Sequence, residues 1–569
     1  MAVIFVFKLV LEGVFFVGVV NQYGEECQFV SLAFSGQIPG ESYWDAMTRY
    51  TVVQDWAQWK GDPGDMYPFR VSALYPNIWF VRLLGGSEWA ISTWSMLTGV
   101  GSVLVVGLLG RKLGGNAMGL GAAVVLAAIP GHVLYSARVA TDMPQLFYMA
   151  TGICLLVCAL AAGTVRRQLV FAAAAGVGFG LLYLAKLPPA FLALGWALLM
   201  PFGLAAFKDT ETLVAGSGKW RQAAGISGAV LAGFLVVFLI ENIAYHQLSG
   251  QWLLHWRIMG ANAVNMADWR GKEAADFGFI RLWLPIGGKY ELFAHSYMFA
   301  RSFFPVEWFS DVYQAPIHGW SAALAVPSLL VLPFLRHGRH RLQLWVIGGF
   351  VLYFIYQEFL WLYPTWEDGH LNLTFVHKVH RFIFPCYIGI ALVAGAGLAA
   401  LGRWAKRLGG SRLGGAVPGV ILVVYAVANL APTAFFHERL RRSLADTRLI
   451  CEMVRRHAEP GTWIYGAAGM EPFFRLLQYP GHYQWGYAVD RTPDTIGPGL
   501  AVVGGSNGIG LSPEIIFERY PVWLQPYFQG TAEPPAGWRL LETIPGSESA
   551  YMPPIRLLRL PEPKPVKTE

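Results

Sequence analysis

His377, Lys378, His380 and Arg381 place two imidazoles and two permanent cations within five residues. They lie in the stretch Phe375-Val376-His377-Lys378-Val379-His380-Arg381-Phe382-Ile383-Phe384-Pro385, at the mouth of an apolar run over residues 381–401 long enough to cross a bilayer. Lys and Arg are the usual partners of phosphate, Arg through its planar fork. Four cation-capable side chains at one helix start make a grip for a phosphate group. The competing role is a snorkelling anchor, with aliphatic stems in the acyl region and charges at the headgroups. In either case charge at a membrane boundary is costly and calls for a polar partner.

A candidate base lies far upstream, in Gln22-Tyr23-Gly24-Glu25-Glu26-Cys27-Gln28. Crowding Glu25 against Glu26 favours proton uptake by one of them, which suits a general base. An ordinary solvated acidic turn is the bland alternative. Asp45 and Asp55 follow on aromatic-rich ground and stand in reserve. Further cations are scattered between these two stretches. Arg70 heads Arg70-Val71-Ser72-Ala73-Leu74-Tyr75-Pro76, and it suits a phosphate or a snorkelling contact equally. Arg138 and Asp142 are four apart and can pair as helical neighbours. Lys186 precedes Leu187-Pro188-Pro189 at the end of an apolar run, where it should point outward to headgroups or to a lipid-linked phosphate.

Several chemistries are not encoded. There is no phosphate-binding Walker loop and no histidine pair spaced for zinc on one helix face. Cys27, Cys154, Cys158, Cys386 and Cys451 show no metal spacing, and packing is the expected role of Cys154 and Cys158. The apolar runs carry few charges: Lys8 and Glu12, Glu241 beside Asn242, and Glu358. An ion-coupled transporter usually shows a denser mid-membrane charge path.

These residues must be positioned by a membrane scaffold. The 569 residues are 55% hydrophobic and only 14% charged, against about 25% charged in soluble domains. The excess of 43 basic over 36 acidic residues fits loops at a membrane better than nucleic acid. Apolar runs near residues 3–20, 89–110, 117–135, 143–163, 168–185, 188–206, 223–245, 316–335, 343–362, 381–401 and 414–434 predict about 11 transmembrane helices. The first, without a basic leader or cleavage site, reads as a retained span. Arg111-Lys112, Arg166-Arg167, Lys208 to Arg221, Arg336 to Arg341 and Arg403 to Arg412 recur at every second connection, which the positive-inside rule makes cytoplasmic. Residues 71–84 are apolar, but a span there would put every later basic cluster on the wrong side. They are assigned to a helix lying at, or dipping into, the outer face.

The long loops 21–88 and 246–315, the short connections 136–142 and 363–380, and the C-terminus then share the external side. The expected architecture is an all-α polytopic membrane domain over residues 1–435, an extracytoplasmic α/β domain over 436–560 and a disordered tail over 561–569. Leu440, Leu444, Leu449, Met453 and Val454 have helical spacing, and strand-like runs follow at residues 463–465, 500–503, 538–541 and 555–558.

His377-Lys378-Val379-His380-Arg381-Phe382 before a Gly/Ala-rich helix resembles the His-Lys-Glu-x-Arg-Phe signature of the family 22 GT-C mannosyltransferases. Ser136-Ala137-Arg138 with Asp142 is similar to their Ser-x-Arg segment, Arg70 to Pro76 to their Arg-Ser-x-x-x-Pro stretch, and Glu25-Glu26-Cys27-Gln28 to their acidic luminal element. Lys186-Leu187-Pro188-Pro189 looks more like the Lys-Gly-Pro of family 39 protein mannosyltransferases and aminoarabinose transferases. Val379 replaces the Glu of the signature, and the acidic pair is offset, which makes Glu25 the better match and Glu26 the alternative.

The resemblance implies an inverting glycosyltransferase of the bacterial inner membrane. It would take mannose or a similar sugar from a polyprenyl-phosphate donor to a glycan, lipid or protein acceptor on the external face. No cofactor and no metal are implied. Glu25, Glu26 or Asp45 would serve as base, and Arg70, Arg138, Lys186, His377, Lys378, His380 and Arg381 would hold the donor phosphate. A flippase for lipid-linked sugars and a non-catalytic assembly factor are the alternative readings.

Overall fold

A computed structural model of the chain describes residues 70–84, 88–136, 141–206, 218–257, 318–332, 340–359, 362–367, 370–375, 383–459, 462–466, 482–485, 499–503, 537–544 and 555–559. In hydrocarbon a single run of chain can satisfy its backbone polar groups only as a helix. The apolar runs accordingly form α1 (Val71–Leu84), α2 (Glu88–Gly114), α3 (Asn116–Ala127), α4 (Pro130–Ser136), α5 (Asp142–Leu160), α6 (Val165–Ala185), α7 (Leu187–Ala206), α8 (Lys219–Ser249), α9 (Ser321–Val331), α10 (His340–Phe359) and α11 (Cys386–His457).

Among the described residues six helices are long and apolar enough to cross a bilayer, and α3 with α4, bent by 65°, makes a seventh. That is fewer than the 11 expected from the sequence. Residues 3–20 lie outside the described residues. The run over 316–335 yields only the 11-residue α9, which spans about 16 Å, half of a hydrocarbon core.

Two expected spans, 381–401 and 414–434, fall on the two arms of α11. Gly409 and Gly410 leave the helical region there, and Gly410 has φ 79°, a conformation that favours glycine. The chain reverses at this point. A Cβ built on Gly402 would meet the carbonyl of Gly414 at 2.8 Å, whereas a straight helix would hold the two about 18 Å apart. The second arm runs on to His457. Neither Gly nor Pro interrupts it after Pro432, so the helix read at residues 438–457 continues the last span, and residue 436 lies inside it.

Small residues set the helix crossings, as expected where lipid removes the hydrophobic drive and close backbone approach supplies the attraction. Gly178 of α6 lies against Gly152 of α5, and a Cβ added at Gly176 of α6 would strike the Val230 carbonyl of α8. Gly110 near the end of α2 likewise meets Gly119 of α3. Gln343 at the start of α10 donates to Leu113 O at the end of α2 (2.7 Å), and Gln222 of α8 donates to Gln168 of α6 (2.8 Å). These contacts gather the basic helix termini at one end of the bundle.

The connection after α10 is not a plain loop. It forms the antiparallel hairpin β1 (Leu362–Glu367) and β2 (His370–Phe375), with Glu367 opposite His370. The intervening Asp368-Gly369 is the sequence signal of a two-residue hairpin turn. Beyond α11, β3 (Trp463–Gly466), β4 (His482–Trp485), β5 (Gly499–Val503), β6 (Arg539–Ile544) and β7 (Ile555–Arg559) form a mixed sheet in the order β4-β3-β5-β7-β6. β3 pairs in parallel with β4 and β5, and β7 antiparallel with β5 and β6. Four of these strands coincide with the strand-like runs of the sequence; β4 was not among them. Met453 and Val454 of α11 are fully buried, and Arg456 and His457 pair with Glu542 of β6.

Candidate functional site

At the end of the bundle opposite the basic termini, three of the candidate residues come together around the first turn of α5. Thr141 occupies the N-cap position of α5 and Asp142 begins it. A carboxylate at a helix N-terminus is favoured by the helix dipole. Lys186 follows α6 in an extended conformation, φ −162° and ψ 119°, and the two prolines after Leu187 restart the chain as α7. This break between two helices turns the Lys186 side chain toward α5. Its Nζ lies 3.0 Å from Asp142 Oδ1, with the two side chains 8% and 0% exposed. Arg70, just before α1, donates from Nη1 to Thr141 Oγ1 at 3.1 Å.

Hydrogen bonds fix the start of α1, and with it Arg70. Ser72 O accepts from Trp94 Nε1 of α2 (3.0 Å) and from Tyr148 OH of α5 (2.9 Å). Ser72 Oγ donates to Leu181 O of α6 at 2.6 Å, and Asn77 Oδ1 accepts from the Trp94 backbone N–H. One short helix is thus tied to three long ones. Arg70, Asp142 and Lys186 are held by those ties and by the buried ion pair.

One expectation changes. Lys186 does not point outward to headgroups; it is 9% exposed because a buried carboxylate one helix away compensates its charge. Asp142 gives one oxygen to Lys186, a partner 44 residues away. Glu25, Glu26, Asp45, Arg138, His377, Lys378, His380 and Arg381 lie outside the described residues. Sequence reasoning overlooked Thr141, Ser72 and Tyr148. A Thr-Asp pair before an apolar run is a helix-start signal that points to the first of them.

Near the end of α6 is a second buried polar pair. His255 Nδ1 lies 2.7 Å from Glu241 Oε1 of α8. The His255 ring is 5.2 Å from that of Tyr183, one turn before Lys186, and Phe191, Phe234 and Phe238 surround Tyr183. Deeper in the bundle, Met149 and Leu156 of α5, Leu192 and Met200 of α7, and Phe350 and Tyr353 of α10 line an apolar cavity of about 190 Å³. Counted along α5 and α7, it begins about 10 Å below the Asp142–Lys186 pair and ends near 20 Å. Among the described residues no three His, Cys, Asp or Glu side chains are arranged to hold a metal ion.

Residues 76–240 match the family described as dolichyl-phosphate-mannose-protein mannosyltransferase. The matched segment contains Asp142 and Lys186-Leu187-Pro188-Pro189, and it excludes Glu25 and His377 to Pro385. No curated protein matches the sequence. Among solved structures, apo ArnT from Cupriavidus metallidurans has a TM-score of 0.51 at 14% identity, covering 97% of this chain and 99% of that one. The same ArnT bound to undecaprenyl phosphate gives 0.52 at 13% identity with the same coverage. At such identities the likeness is one of fold.

Proposed function

We propose that the chain is a membrane glycosyltransferase of the GT-C superfamily, a reading supported by the family match over residues 76–240 and the ArnT-like fold, and that it moves a sugar from a polyprenyl-phosphate donor to an acceptor at the membrane surface. The observation that carries this is the placing of Arg70 and the Asp142–Lys186 pair at one end of an apolar bundle, above an apolar cavity. Such a donor needs both parts: cations at the surface for its phosphate and a dry groove for its prenyl chain. ArnT, whose fold is similar, is a protein that binds undecaprenyl phosphate.

The reaction is a single inverting displacement. The acceptor hydroxyl oxygen attacks the anomeric carbon, the bond from that carbon to the phosphate oxygen breaks, and polyprenyl phosphate leaves with the electron pair. The hydroxyl proton passes to a carboxylate of the first loop, Glu25 by preference, with Glu26 and Asp45 as alternatives. Arg70, Arg138, His377, Lys378, His380 and Arg381 neutralise the phosphate as its charge grows, which is where fixed cations lower the barrier most. Lys186 contributes to that field through its pairing with Asp142, so its share depends on whether the pair opens. The active face is the external one, and the setting is a bacterial inner membrane. Mannose or a similar hexose or pentose is the expected sugar, and the acceptor is a glycan, lipid or protein.

The test is transfer of radiolabelled sugar from polyprenyl-phosphate donors by the purified protein in detergent. Product should form, and Glu25→Gln combined with Glu26→Gln should abolish it while binding of undecaprenyl phosphate persists. Translocation of the donor across vesicles without any product would establish the flippase reading instead.

A further inference from the structure

Gln145 lies three residues after Asp142 on α5, and therefore on the same face of that helix. Its side chain is fully buried, and neither Oε1 nor Nε2 has a hydrogen-bond partner. An amide buried in this way costs on the order of 1–3 kcal/mol per unmet group, and most buried side-chain polar atoms in folded proteins are satisfied. On the first turns of α5, Thr141 Oγ1 accepts from Arg70, Asp142 Oδ1 accepts from Lys186, and Tyr148 donates to Ser72 O. A leucine or methionine would fill the same space without the cost.

We propose that Gln145 is a specificity-determining residue that reads the transferred sugar, its carboxamide pairing with two neighbouring ring hydroxyls of the bound donor. The inference deepens the glycosyl-transfer reading above and rests on it. Both a donor and an acceptor are left open on one planar group, so the ligand has to supply both. A phosphate oxygen only accepts, and it would set negative charge against Oε1. Two adjacent hydroxyls match instead, one oxygen accepting from Nε2 and the other O–H donating to Oε1. The match survives exchange of the amide's N and O positions. Burial means that the amide is met only by a group that enters the bundle, as the sugar of an inserted donor does.

The experiment compares the full-length protein with Q145L and Q145M in detergent. The donors are polyprenyl-phosphate hexoses that differ in the configuration of single ring hydroxyls, and undecaprenyl phosphate is the sugar-free ligand. Both variants should melt at or above the wild-type temperature and bind undecaprenyl phosphate as the wild type does. KM for the preferred donor should rise about 10-fold or more, and the preference between epimeric donors should narrow. Unchanged donor KM and preference in active variants would overturn the proposal, as would equal weakening toward the sugar-free lipid or a clear fall in melting temperature. A wild type that transfers from none of these donors overturns the parent reading, and the inference with it.

Discussion

At one end of the bundle Arg111, Lys112, Arg166, Arg167, Arg221, Arg341, Lys406, Arg407 and Arg412 lie exposed on helix termini and turns. At the other, Asp142, Lys186, Glu241 and His255 are buried, and they pair, Lys186 with Asp142 of α5 44 residues away and His255 with Glu241 of α8. Charge at the first end acts by position. It needs only to remain in water while the helices cross the lipid, and any neighbouring basic residue would do. Charge at the second end acts by geometry. A buried ion is tolerated only when a partner and further hydrogen bonds meet it, so each residue there is specified by another.

This contrast is open to direct attack. The largest effect is expected from Lys186→Met, which removes the cation 3.0 Å from the buried Asp142 Oδ1. A loss of about 3–5 kcal/mol, read as a lower melting temperature in detergent, should be largely restored by adding Asp142→Leu. A single variant as stable as the wild type would put the ion pair in the same class as the exposed charges. Arg70→Ala comes next. It should raise KM for polyprenyl-phosphate donors about 10-fold, with little change in melting; a loss of stability with unchanged KM would make Arg70 structural. Tyr148→Phe removes one of two donors to Ser72 O and should cost about 1 kcal/mol. The smallest change belongs to Arg166→Gln combined with Arg167→Gln, within about 0.5 kcal/mol of the wild type. Cysteine accessibility in sealed vesicles would sharpen the comparison further. Labelling of a cysteine placed beside Arg166 from outside would reverse the assignment of the two ends.

What the sequence disclosed follows the same division. Apolar length located α2, α5, α6, α7 and α8 within a few residues, and basic residues marked their shared end, because both signals are local. The strand runs after residue 460 were legible for the same reason. The union of Lys186 with Asp142 was not, since it depends on where the chain breaks between α6 and α7 and on which helix packs beside that break. Lys186 therefore looked like an anchor. The hairpin of β1 and β2 was not expected although Asp368-Gly369 announces it, because Pro364 within the first strand argues against a strand there. Gln145 passed as one polar residue within an apolar run. Only the lack of a partner for both of its polar side-chain atoms in the folded bundle distinguishes it.

The second arm of α11 has one more consequence. From Phe435 to His457 it is continuous helix, about 35 Å of rise beyond the apolar part. It therefore works as a threaded post, on which the height of the sheet and the direction it faces are locked together. Removing one residue from this stretch lowers the sheet by about 1.5 Å and swings it by about 100°. Only steps near seven residues change its reach, by about 10 Å, while leaving it facing almost the same way.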